Sequence, residues 1–395
     1  VPGLPAGKTR LSTVAAGVAA ALGTGTLVVA VADLLRPGSV SLPLIGVVAW
    51  AVHGPHLVLV SLVAAAVAVP VAARRPRGWF SGVAAAVSVA ALVTSGVVTG
   101  SIVVAVVGAG GSVDPFAALA ITTGSPEPDR TTTYAVVDGE PLQALVYEPG
   151  TTEGAPVMVH IHGGGWFTGA AKDSGTHPRW FADHGWYVVS VDYRLSTPDS
   201  PTWDEAPADV ACALAWTARR AREAGADTTR LSVHGDSAGG NLAINAAWTA
   251  AAGTAVSTCP ELGPVPVPEA VVAVYPVANP IHAYEHGNPV HGLSPRDFTN
   301  WYLGGTPAAH PDRLAAISPE THISDAAPAT LIIQPERDNF IPARGNHELV
   351  AEARAGGVDV TVVGIPFTQH AFDLTGGSLG SQATLTTSAR WLRDR

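Results

Sequence analysis

The stretch "RLSVHGDSAGGN" (230–241) leaves an apolar run, passes through small residues and enters a helical pattern that continues to Ala252. Within it, Gly235-x-Ser237-x-Gly239 sets one hydroxyl between two glycines. A strand that turns this sharply into a helix needs neighbours without bulk, and the turn lifts the serine Oγ above the sheet at a helix N-terminus. The tripeptide spacing alone recurs by chance. Its strand–turn–helix context gives it weight, and predicts an α/β domain with its chemistry at the carboxyl ends of parallel strands.

A second stretch of the same kind lies upstream. "VHIHGGGWFTG" (159–169) ends an apolar strand in three consecutive glycines and a tryptophan. Glycine contributes no packing to a strand, so three in a row imply backbone N–H groups that something must approach closely. A serine that attacks an acyl group generates a tetrahedral oxyanion, and fixed N–H donors stabilise it, each worth about 100- to 1,000-fold in rate. Gly163, Gly164 and Ala238, the residue after the serine, are the expected donors. His160 and His162 end the strand beneath them and are read as orienting the turn.

The serine needs a base and an orienting acid, in the chain order serine, acid, histidine. "LIIQPERDNFIP" (331–342) supplies Asp338 just past a strand, and "VVGIPFTQHAFD" (362–373) supplies His370 past the last one. Glu336 and Asp373 are rival acids, neither at the expected loop position. The other histidines after the serine are read as surface residues. The chemistry is complete in side chains and backbone, so no metal and no cofactor is expected.

The surrounding pattern supports one domain over 131–395. Eight strand-like runs, two hairpin-like at the start, alternate later with helical patterns at 203–224, 238–252, 343–355 and 381–393. An eight-stranded, mostly parallel sheet flanked by helices follows from that alternation.

The first 110 residues are a different physical object. They hold one acid, Asp33, and six bases, a net of +5 against −10 for the whole chain, so the remainder carries −15. Hydrophobic residues make up 47% of the chain and charged residues only 14%, a deficit concentrated in this region. Three apolar stretches, 11–35, 56–73 and 82–108, are each long enough to cross a bilayer as a helix. A shorter one, 41–54, is broken by Pro43 and reads as re-entrant or interfacial. Lys8 and Arg10 precede the first stretch, and Arg74, Arg75 and Arg77 separate the second from the third. Three crossings put both basic clusters on the cytoplasmic side, with everything after Gly110 outside. Residues 1–110 are therefore expected to be an all-α transmembrane anchor of about three helices and 111–130 a linker. Few ionisable residues lie within the stretches, which excludes a transport pathway. No basic stripe interleaved with aromatics is present, which excludes nucleic acid as a partner.

The motifs together resemble the α/β-hydrolases of the hormone-sensitive-lipase-like and arylacetamide-deacetylase-like esterases. The shared residues are "HGGGW" (162–166), "DYRL" (192–195), "GDSAGGN" (235–241), the run from "YLGGTP" (302–307) to "LII" (331–333), Asp338 and "HAFD" (370–373). The resemblance covers 131–395. It implies a serine carboxylester hydrolase with Ser237, Asp338 and His370 as triad and Gly163, Gly164 and Ala238 as oxyanion hole. Short- to medium-chain acyl esters are the expected substrates, with Trp166 and Asp236 at the substrate and 277–318 as a lid. The chain departs from the family in three places. It has Gln334-Pro335 before the acid's loop and Phe367-Thr368-Gln369 before the histidine, and membrane spans stand in place of the usual N-terminal cap helices. A membrane-anchored peptidase or amidase would use the same triad. A non-catalytic binding protein usually loses a triad member, and here none is lost. Cys212 and Cys259 would face an oxidising exterior, where a bridge persists; the sequence leaves bridged and free thiols both open.

Overall fold

The structure is a computed structural model describing residues 6–34, 47–74, 79–122, 124–290, 292 and 294–395, with side chains placed from 13–29 and from position 49 onward within those ranges. Eight strands form one sheet: β1 (Arg130–Val137), β2 (Glu140–Tyr147), β3 (Pro156–Ile161), β4 (Tyr187–Val191), β5 (Asp227–Asp236), β6 (Ala270–Val274), β7 (Ala329–Pro335) and β8 (Val360–Ile365). Their order is β1-β2-β4-β3-β5-β6-β7-β8. β1 and β2 are antiparallel to their neighbours and β4 onward are parallel. The hairpin-plus-crossover pattern read from the sequence is therefore the pattern of the sheet.

Parallel strands covered on both faces read as continuous apolar runs, and β4 and β6 are buried at every position. Alternation still assigns faces. In β3, Val157, Val159 and Ile161 belong to the larger core and Met158 to the opposite one. On the larger-core side lie α5 (Glu205–Glu223), α6 (Ala238–Ala251) and α10 (Ala343–Ala355). On the other lie α4 (Thr176–Asp183) and α11 (Leu379–Arg393). The short helix α4 has no counterpart in the sequence reading; eight residues give too little periodicity to register.

Three further helices open the chain: α1 (Ala6–Leu34), α2 (Gly54–Arg74) and α3 (Trp79–Gly108). α2 and α3 are long and apolar enough to cross a membrane by length and composition. The three pack as a bundle. Ser88 Oγ donates to Ala19 O at 3.2 Å, and Ser61 Oγ to Thr26 Oγ1 at 3.4 Å, so α1 runs parallel to α3 and ends beside the start of α2. The N-terminus of α1 thus shares an end with Arg74, while Arg75 and Arg77 lie outside the described residues.

The bundle is not a separate body. Val98, Ile102 and Val106 of α3 are buried against Val272, Val274, Leu331 and Ile333 of the sheet. Of the 41–54 stretch, 41–46 lie outside the described residues, and 47–52 form a π-helical turn. Its Trp50 is 1% exposed and packs in the same cluster with Phe372 and Leu379. The described part of the stretch expected to be re-entrant or interfacial thus packs into the same core as the sheet.

Cys212 on α5 and Cys259 are bridged, their Cα atoms 5.1 Å apart across 47 positions of sequence. Closing a loop of that size stabilises a fold by about 4 kcal/mol in the chain-entropy account.

Candidate active site

Ser237 follows β5 directly and precedes α6, with φ 53° and ψ −117°. A positive φ at a non-glycine residue is costly, and the turn is fixed on both sides. Ser237 N donates to Val274 O at 2.9 Å, and its carbonyl accepts from Asn241 N and Val277 N. A Cβ on Gly235 would strike Gly239 O, and one on Gly239 would strike Ile161 O. Those two glycines are thus required by close packing, as the motif predicts.

His370 reaches the serine from the loop after β8. The Ser237 hydroxyl lies 2.9 Å from His370 Nε2, and His370 Nδ1–H donates to Asp338 Oδ2 at 2.7 Å. The other carboxylate oxygen of Asp338 accepts from Phe340 N and Ile341 N at 3.0 and 2.9 Å. The acid is therefore held at both oxygens and 4% exposed. Tyr275 and Phe340 flank the imidazole at 4.6 and 5.0 Å between ring centroids. Gln334 does not displace the acid. Its side chain is tied to Pro335 O at 2.9 Å and to Asn346 Nδ2 at 2.7 Å, which leaves Asp338 at the loop tip.

The rival acids have other work. Glu336 pairs with His347 at 3.2 Å on the surface. Asp373 is fully buried and accepts from Tyr275 Oη at 2.6 Å and Thr384 Oγ1 at 2.8 Å, anchoring the loop that bears His370.

The glycine loop departs from the expectation in one respect. Gly163 N, expected as an oxyanion donor, donates instead to Asp236 Oδ2 at 3.1 Å, so that amide is already engaged. Among the described residues, the amides of Gly164, Gly165 and Ala238 have no such partner. Gly164 (φ 112°) and Gly165 (φ 60°) adopt left-handed backbone, and a Cβ on Gly164 would strike Thr168 O. Sequence alone could not say which of three equal residues was engaged. His162 orients the loop as expected, its Nδ1–H donating to Gly163 O at 2.7 Å and its ring stacked on Tyr193 at 4.4 Å.

Two residues expected at the substrate are buried in the structure. Trp166 is fully buried and stacked on Tyr302 at 4.5 Å, so it supports the wall and does not line a pocket. Asp236 faces the glycine loop, where it positions Gly163. The 277–318 segment carries α7 (Pro280–His286), α8 (Pro295–Leu303) and α9 (Pro311–Ile317). From α8, Phe298 packs on Trp166, Phe167 and Phe340, beside the site.

Behind Ser237, burial pushes the Asp236 carboxyl up from 3.8 to about 7, with the Asp373 charge adding to it. Burial pushes His234 down to about 3 and His160 well below its ordinary value. A group whose pKa rises on folding takes up a proton as the chain folds. The linked stability is complete below pH 3.8 and is lost as pH rises through about 7. Asp236→Asn keeps an acceptor for Gly163 N and removes the titration. Its unfolding free energy is expected to change less than wild type's between about pH 4 and about pH 7, the difference amounting to a few kcal/mol at about 1.4 kcal/mol per pKa unit. Parallel thermal melts of both proteins check this, and identical pH slopes would show that Asp236 is not the titrating group.

Residues 145–352, more than half of the chain, match the family model BD-FAE. The probable carboxylic ester hydrolase LipM of Mycobacterium tuberculosis is 29% identical over 236 residues, covering 58% of this chain and 52% of that protein. The carboxylesterase NlhH of the same organism is 37% identical over 118 residues, covering 29% of this chain and 35% of that one. The match thus spans about half, or less, of these relatives' length. Among solved structures, the apo form of esterase 2 from Thermogutta terrifontis superposes with a TM-score of 0.56 at 23% identity, covering 68% of this chain and 96% of that one. That likeness establishes the α/β-hydrolase fold. From the extent of the family match, the chain belongs to the BD-FAE family.

Proposed function

We propose that the protein is a serine carboxylester hydrolase that cleaves short- to medium-chain acyl esters through an acyl-enzyme. The observation that carries this reading is the unbroken line of hydrogen bonds from Ser237 through His370 to Asp338, with unengaged amides beside it. Ser237 Oγ attacks the ester carbonyl while His370 Nε2 takes its proton. Gly164, Gly165 and Ala238 hold the oxyanion, and His370 returns the proton to the departing alcohol. Water, activated by the same imidazole, then releases the acid. The names of the mycobacterial relatives support ester chemistry. Structures of the Thermogutta esterase with butyrate and propionate support short acyl groups. The "HGGGW" and "GDSAGGN" motifs support a place near the hormone-sensitive-lipase-like branch.

The same proposal seats residues 1–110 in the cell membrane, with 111–130 as linker and 131–395 as an extracytoplasmic catalytic domain whose 277–318 segment acts as lid. The apolar lengths of α2 and α3 support it. So does the disulfide, which persists in an oxidising compartment.

A peptidase using this triad is separated by rate. The full-length protein is expected to hydrolyse 4-nitrophenyl butyrate far faster than an alanyl 4-nitroanilide. Faster turnover of the anilide would sink the ester reading.

A further inference from the structure

The triad defines one end of the sheet, since Ser237, Asp338 and His370 follow the carboxyl ends of β5, β7 and β8. α11 begins just after the His370 loop and runs back toward the opposite end. The residues that directly follow α3 lie along it: Gly110 meets the Arg390 side chain, Gly111 meets Thr386 and Thr387, and Ser112 N donates to Thr386 Oγ1 at 3.0 Å. The C-terminus of α3 is thus at the end remote from the triad.

The start of α2 marks the other level. Gly54 faces Thr99 of α3. Two residues on, His56 Nε2–H donates to Leu119 O at 3.1 Å. The Ala117–Leu119 turn packs on Gly377, and Thr122 N donates to Gly376 O at 3.0 Å. Gly376 and Gly377 lie between His370 and α11, at the catalytic end. Below Thr99, α3 is embedded in the domain; above it, α3 and its two partners project past the catalytic end. The projecting part, 79–97, is about 19 residues and so about 29 Å long, close to the thickness of a bilayer's hydrocarbon core.

From this we infer that the catalytic cleft faces the lipid surface in which the bundle sits, and that the substrate is an amphiphilic acyl ester drawn from that bilayer. The inference rests on the membrane and esterase readings above. Its independent support is an apolar collar at the base of the bundle. Phe116 is 80% exposed and Leu119 40%, both on the turn held by His56, and Leu374, four positions after His370, is 58% exposed. Exposed apolar side chains continuous with a lipid-facing helix surface mark a membrane contact. The occupant that fits this position is the interfacial layer of the same leaflet.

Orientation is read directly by a fluorophore attached through Leu374→Cys in the full-length protein, reconstituted into phosphatidylcholine vesicles containing nitroxide-labelled lipid. The control is Val256→Cys, at a position 75% exposed beyond the end of α6 remote from Ser237. Quenching at 374 and not at 256 is expected. Equal quenching, none at 374, or the reverse would overturn the orientation. In the same vesicles, the triple variant Phe116→Asp, Leu119→Asp, Leu374→Asp is expected to hydrolyse embedded 4-methylumbelliferyl oleate about tenfold or more slowly, with soluble 4-nitrophenyl butyrate little changed. Equal loss on both esters would overturn the substrate class. Quenching at 374 without any turnover by wild type would instead leave the orientation standing and remove the esterase reading.

Discussion

Replacing Ser237 with alanine is expected to lower ester turnover by about 10,000-fold or more, because triad members act as one unit. The Oγ is the atom that forms the covalent bond, and the residual rate would come from binding and the oxyanion amides alone. The fold should survive, since the turn is held by backbone bonds at Ser237 N and O and not by the side chain. Paired measurements of kcat/KM and thermal midpoint check both halves. A purified variant that keeps most of its activity would end the serine mechanism.

The second large effect belongs to the acid. Asp338→Asn is expected to cost on the order of 10,000-fold. An asparagine amide facing His370 favours the tautomer with its proton on Nε2, the atom that must accept from Ser237. The backbone amides of Phe340 and Ile341 would still find an acceptor, so the loop keeps its shape. Asp373→Asn should cost much less activity and some stability, because it disturbs two buried hydroxyl bonds that anchor the His370 loop without touching the imidazole. Glu336→Gln should be close to silent, as its partner is a surface histidine. If Glu336→Gln were the worst of the three, the acid would have been misassigned.

The sequence made the fold and the meeting of Ser237, His370 and Asp338 legible because both rest on local necessity. A glycine-flanked serine between strand and helix admits few geometries, and an acid and base past the last strands can converge only at one end of a parallel sheet. Other features depend on contacts that no local pattern encodes. Which of Gly163, Gly164 and Gly165 was occupied turned on a carboxylate 73 positions away. Trp166 read as a pocket residue because its position beside the glycines is visible and its stacking on Tyr302, from the distant α8, is not. The stretch around Trp50 looked interfacial from its apolarity, which serves equally for burial under α11. Cys212 and Cys259 could not be paired from spacing, because the loop between them folds through β5 and α6.

The central claim is that Ser237 is a nucleophile activated by His370, and trapping it covalently tests this most directly. The full-length protein is treated with paraoxon, its intact mass is measured, and the adduct is mapped by peptide fragmentation. Wild type should gain one diethylphosphoryl group, located on Ser237, with turnover of 4-nitrophenyl butyrate lost in step, and Ser237→Ala should gain none. An adduct at another residue, or continued turnover by protein fully modified at Ser237, would contradict the account.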